Sequence, residues 1–181
     1  VALETLLLGT LLPAAQPRRV DGPEAREQLR LCVELPKQEG VAACRQAIAL
    51  GLSTARSVVA HRLLARKLSV LKRWDELADT YRSLAALRPE DADPRLRLGL
   101  ALLHGQGRAE EAEAPLREAV RLDPGDARAH ASLGAALNAL GRHAEALAAF
   151  GEALKLEPGH FDAWPAARRI YEASQRGEKW P

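Results

Sequence analysis

The sequence predicts an all-α protein, a solenoid of stacked helical hairpins with a C-terminal capping helix. Three observations carry that expectation. Leu98-Gly99, Ala112, Leu116, Ala119, Leu122 and Pro124 recur as Leu133-Gly134, Ala146, Phe150, Ala153, Leu156 and Pro158, and a fixed period of about 20 to 50 residues marks an array of supersecondary units. Within each copy, apolar residues fall at helical spacing on both sides of a short turn. Hydrophobic residues make up 47% of the chain but aromatics only 4%, so Leu and Ala must do most of the packing, which favours closely packed helices over a strand-rich core.

Residues 1–20 read as an apolar N-terminal segment. Its first part, VALETLLLGTLLPAA, is apolar on all sides if helical, interrupted by Glu4, Thr5, Gly9 and Thr10. That differs from the one-sided stripe of a surface helix, and the stretch is short for a membrane span. Leu6 to Leu12 followed by Pro13-Ala14-Ala15 looks like the apolar core and cleavage region of a secretory signal without its basic start. The chain opens on Val1 and not on Met, which suggests a truncated or misplaced start. Three readings stay open: a signal remnant, which we favour, a helix packed on the array, and an anchor.

Residues 25–57 have the pattern of a degenerate first hairpin. Leu31, Leu35, Ile48 and Gly51 take its core columns, and Pro36-Lys37-Gln38-Glu39-Gly40 is its expected turn. Three clearer units follow at 58–91, 92–126 and 127–160, with turns near residues 72–73, 105–107 and 141–142. In each, a small residue of the first helix (Ala65, Gly99, Gly134) precedes by 12 or 13 residues a small or apolar one in the second (Leu77, Ala112, Ala146). Small side chains there let antiparallel helices approach, and Tyr81, Leu116 and Phe150 are expected to fill the gap to the next hairpin. Pro89, Pro124 and Pro158 close the units, and Asp91 or Asp93, Asp126 and His160 lead into the next helix. Pro115 falls inside a second helix, where it removes a hydrogen bond and should kink it. Residues 161–176 complete the array as a capping helix that covers the final hairpin with Trp164, Ile170 and Tyr171, with Asp162 as a cap and Pro165 in its first turn.

These residues at this spacing resemble the tetratricopeptide repeat family, most closely in 127–160, where Leu133-Gly134, Gly141, Ala146, Phe150, Ala153 and Pro158 match its pattern. The resemblance implies a right-handed superhelix whose concave groove is lined by the first helix of every hairpin. Carried over column by column, the groove would hold Arg62, Arg66, Ser69 and Val70, then Leu96, Leu100, Leu103 and His104, then Arg128, Ala131, Ala135, Asn138 and Ala139. It would be basic at one end and apolar beyond, suited to a peptide or subunit with an acidic group and apolar anchors. Some relatives grip a chaperone terminus with paired Lys and Asn; the asparagines are absent at the matching places here. The competing reading of the arginines is ordinary solvated charge.

Cys32 and Cys44 lie 12 residues apart on opposite arms of the first hairpin, in the close-contact columns of Gly134 and Ala146. A disulfide between them is the favoured reading, beside two reduced, small buried residues. Neither CxxC nor CxxCH occurs, which argues against redox catalysis and covalent haem. The five histidines, His61, His104, His130, His143 and His160, show no metal-ligand spacing on one helix face, and His61 and His130 share a column that packing explains. There is no phosphate-binding loop, and Gly105-Gln106-Gly107 reads as a turn. Twenty-six Lys and Arg against 24 Asp and Glu give a net charge of +2, no mark of a nucleic-acid partner. The expectation is therefore a non-enzyme without cofactor or metal, favoured as extracytoplasmic, in the bacterial periplasm or exported, with the cytoplasm as the alternative. As a function we expect a scaffold or assembly factor that docks a protein or peptide; in the family such helpers serve outer-membrane assembly, pilus biogenesis and cytochrome maturation. The alternative is a structural subunit of a larger complex or filament that packs through residues 1–15, where any membrane contact would also lie.

Overall fold

The computed structural model describes residues 20–158 together with Glu172. Eight α-helices follow one another and no strand occurs among the described residues: α1 Pro23–Glu34, α2 Lys37–Leu50, α3 Thr54–Val70, α4 Trp74–Leu87, α5 Ala92–Gln106, α6 Ala109–Leu122, α7 Ala127–Ala139 and α8 His143–Leu156. Each consecutive pair packs as a hairpin and each hairpin packs on the next, giving a helical-hairpin solenoid. The apolar N-terminal segment and the capping helix expected over 161–176 lie outside the described residues, apart from Val20 and the helical Glu172.

Local chemistry sets the helix ends. Asp91 and Asp126 cap α5 and α7, their carboxylates accepting from the backbone N–H of Asp93 at 3.1 Å and Arg128 at 2.8 Å. Gly107, at φ +63°, ends α5 in the left-handed conformation that a side chain disfavours. The first turn differs from the sequence expectation: it sits at Leu35-Pro36, and residues 37–40 are the opening turn of α2. Proline pushes the residue before it out of the helical region, and Leu35 is extended at φ −72°, ψ 144°. Gly40 is thereby buried beneath Lys67, and Gly51, expected in a core column, is instead the C-cap of α2 at φ +91°. Asp21 ties the entering chain to the α2–α3 link: its N–H donates to Gly51 O, and its carboxylate accepts from Ser53 N–H and pairs with Arg56. The Ser53 backbone bond, followed by its hydroxyl and Arg56, holds the Asp21 carboxyl below its ordinary range. α6 remains one helix through Pro115.

The core is a continuous seam of Leu and Ala closed by the small residues of the first helices. Leu116 and Phe150, expected between hairpins, stand directly against Gly99 and Gly134 of their own hairpins. A Cβ on Gly134 would lie 2.9 Å from two carbons of the Phe150 ring, which is only 3% exposed. Overpacking of this kind costs about 1–3 kcal/mol, against roughly 1 kcal/mol gained in helix propensity. Gly134→Ala is accordingly expected to lower the urea midpoint of unfolding. Gly151→Ala, in α8 with nothing within 4 Å of the added carbon, should raise it by the propensity term, about 0.5–1 kcal/mol. Equal shifts of one sign would show that the glycine column does not set helix approach.

Repeated ion pairs brace the second helices. Arg73–Glu76, Arg108–Glu111 and Arg142–Glu145 each join the residue before the helix to its first turn. Arg108–Asp75, Arg142–Glu113 and Arg117–Glu145 link one hairpin to the next. Exposed pairs contribute about 0–1 kcal/mol each, so the ladder adjusts the stacking that the apolar seam produces.

Candidate functional site

The first helices form the inner layer. Cα atoms of α1 and α3 approach within 8 Å, as do those of α5 and α7, whereas no two second helices come so close. A stack whose elements lie closer on one side curves toward that side, so α1, α3, α5 and α7 line the concave face. The layer is split in the middle, because no Cα of α3 lies within 8 Å of α5.

On α3 the inward stripe is Val59, Arg62, Arg66, Ser69 and Val70, opposite the buried Ala60, Leu64, Ala65 and Leu68. Arg62 and Arg66 are exposed, while the Ser69 hydroxyl donates to Arg66 O at 2.9 Å and is already engaged. On α5, Leu100 and Leu103 are half-buried and packed on the core, and the exposed His104 stacks against Trp74 with ring centroids 5.5 Å apart. On α7, Arg128 and Ala139 are exposed, Ala135 and Asn138 are half-buried, and Asn138 Oδ1 lies 3.0 Å from His143 Nδ1. Two residues taken from the sequence as groove contacts are core residues instead: Leu96 is 1% exposed and Ala131 7%. α5 and α7 lean together and cover that column, while the split beside α3 leaves the equivalent Arg62 open.

Three residues of the concave face escaped the sequence reading. Val33 on α1 and Val59 on α3 are large apolar side chains left exposed, and Lys37, the first residue of α2, lines one cavity with Val33, Arg66 and Val70. A signal for all three was present in the repeat: Val33 and Lys37 precede Arg66 and Val70 by the 33 residues that separate Cys32 from Ala65, and Val59 shares the column of Arg128.

Charge singles out the same face. Among the described residues every other arginine of 20–158 bonds to a carboxylate or a backbone carbonyl, as Arg97 does to Asp93, Arg45 to Glu76 and Arg95 to Asp91 O. Arg62, Arg66 and Arg128 have no such side-chain partner among those residues. In the first hairpin, Cys32 and Cys44 are both fully buried, with Cα atoms 4.7 Å apart and sulfurs at disulfide distance. No group of three or more His, Cys, Asp or Glu among the described residues could hold a metal ion, and no helix among them is long and apolar enough to cross a membrane.

Sequence models of the family described as Tetratricopeptide repeat match residues 62–127 and 127–160. No curated protein matches the chain. Among solved structures, YrrB, described as a TPR protein with an unusual peptide-binding site, is similar at 24% identity and a TM-score of 0.65, over 84% of this chain and 77% of that one. The first TPR of Spaghetti bound to an HSP90 peptide is similar at 24% identity and a TM-score of 0.60, over 65% of this chain and 93% of its own. A MamA RS-1 double mutant reaches a TM-score of 0.69 at 18% identity, over 85% and 86% of the two chains. At these identities the structural likeness speaks to the fold alone.

Proposed function

Because the chain belongs to the tetratricopeptide repeat family, whose members are generally non-catalytic interaction modules, we propose that it is a protein-interaction scaffold that holds a peptide or subunit segment along its concave face. The observation that carries this reading is the set of unpaired groove arginines. An arginine on a surface rich in Asp and Glu finds an internal partner at nearly every other described position, so among the described residues Arg62, Arg66 and Arg128 are the guanidinium groups left to meet an external anion. Exposed Val33, Val59 and Val70 supply apolar contact beside the first two. The peptide-binding site described for YrrB and the HSP90 peptide bound to the Spaghetti repeat support the class of partner and not its identity. The scaffold acts outside the cytoplasm as an assembly factor: the facing, fully buried cysteines favour an oxidising compartment, where they are joined. The alternative structural subunit would rest on residues 1–15, which lie outside the described residues.

Val59→Asp is the first test. Val59 is 49% exposed, so its replacement leaves the core intact, whereas Leu100 packs on the core and its loss would mix stability with binding. A partner is identified by affinity capture on the 181-residue chain and mass spectrometry, and its affinity for parent and variant is measured by calorimetry. The variant should bind on the order of tenfold more weakly, as befits about 1.5 kcal/mol of lost valine burial. Unchanged affinity would remove the α3 stripe from the interface.

A further inference from the structure

We propose that the cleft between α2 and α4, on the convex side of the array, is a second docking site, one that takes a lysine side chain of a partner protein. No Cα of α2 lies within 8 Å of α4. The two second helices leave between them a cavity of about 260 Å³, which His61 and Leu64 of α3 also line. Liquid water occupies about 30 Å³ per molecule, so there is room for a four-carbon stem and its ammonium. Ile48, Ala49 and Leu64 give the stem apolar walls.

The polar side chains of the cavity are acceptors whose own protons are spent inside the protein, with Arg45 as the exception among the described residues. His61 is 8% exposed, and its Nδ1 lies 2.7 Å from the carbonyl oxygen of Ser57. A carbonyl oxygen only accepts, so Nδ1 carries the proton and the neutral ring keeps Nε2 as an acceptor. Nε2 has no hydrogen-bond partner among the described residues. Thr80, 5% exposed, donates its hydroxyl proton to Glu76 O at 2.7 Å, and Ser83 donates its own to Asp79 O at 3.0 Å. Glu76 Oε2 is buried without a hydrogen bond and faces Arg45 as an ion pair. Leaving such groups unmatched costs free energy, and repeat packing does not require them: the places that match Thr80 in α6 and α8 hold Pro115 and Ala149. A group that only donates meets this set. An ammonium brings three N–H donors and no acceptor on a narrow stem, whereas the donors of a guanidinium are confined to one plane, and a carboxylate or a neutral amide sets further acceptors against those already there.

The experiment titrates the ¹⁵N-labelled 181-residue chain with N-acetyl-lysine methylamide and with its norleucine counterpart, at equal ionic strength and up to about 20 mM, because a single anchored side chain is a millimolar ligand. The lysine compound should give saturable amide shifts centred on Ile48, Ala49, His61 and Thr80, and the norleucine compound should bind at least about tenfold more weakly. Two variants should act in opposite directions. Arg45→Ala, at a side chain 49% exposed, removes the guanidinium that competes for Glu76 Oε2 and should tighten the lysine compound by about threefold or more. Glu76→Gln, of the same shape, should weaken it at least about tenfold, with the dispersion of the amide spectrum reading whether the fold is kept. Equal shifts from the two compounds, shifts centred elsewhere, no shift at all, or a folded Glu76→Gln that binds as the parent does would overturn the proposal. If Glu76→Gln does not fold, Arg45→Ala decides alone, and unchanged or weaker binding there overturns it. The cleft lies on the opposite side of the array from the concave arginines, so each of these failures leaves the groove reading standing, and that reading falls separately on the Val59→Asp result.

Discussion

Replacing Cys32 and Cys44 together by alanine is expected to destabilise the first hairpin by about 3 kcal/mol, the chain-entropy value for a loop of this size. The fold concentrates the effect there. α1 fully buries only Ala25 and Cys32, with Leu31 and Leu35 partly buried on the core, and no side chain caps its N-terminus, so Cys32 is a large part of what holds it. Cys44 stands opposite at a Cα separation of 4.7 Å, which needs no backbone movement to be bridged. Arrays gain stability repeat by repeat and open locally. Hydrogen exchange should therefore quicken over α1 and α2 while α5 to α8 keep their protection. Intact-mass analysis after denaturation with alkylating agent and no reductant settles the premise. Two alkylated cysteines would show that the bond is absent, would reduce the expected loss to that of two trimmed side chains, and would take away the support for an oxidising compartment.

The repeat was legible because it is written in residue size. Gly99 and Gly134 admit Leu116 and Phe150, side chains that an added Cβ would meet within 3.0 Å, and Ala65 keeps the same column small, so the period survives in the sequence. The first hairpin was harder to read because Lys37-Gln38-Glu39-Gly40 has the composition of a turn yet follows a proline that forces the break two residues earlier. Groove membership was only half legible, for a reason of geometry. Arg62, Leu96 and Ala131 occupy one column, but whether that column faces solvent depends on how closely the neighbouring first helix approaches, and α5 and α7 approach where α3 and α5 do not. Pairing of charges was not legible at all. Arg142 meets Glu113 across 29 residues of sequence, a partnership fixed by the stacking of hairpins.

Arg62→Ala combined with Arg66→Ala is expected to weaken partner binding by ten- to a hundredfold and to flatten its dependence on salt. Each guanidinium can give an anionic ligand a charge-assisted hydrogen bond of about 1.5–3 kcal/mol, reduced toward about 1 kcal/mol because both side chains are exposed and screened. Two such losses make about 1.4 to 2.8 kcal/mol, which is the stated range. Stability should stay within about 0.5 kcal/mol of the parent, since neither arginine has an ion-pair partner among the described residues to lose. Arg142→Ala is the opposing control. It breaks pairs to Glu113 and Glu145 and should shift the melting temperature slightly without touching affinity. Calorimetric titrations at two ionic strengths read both quantities. If the double variant binds as the parent does, with the same salt slope, the concave arginines are solvated charge, and the functional surface must be sought on the convex side or in residues 1–15.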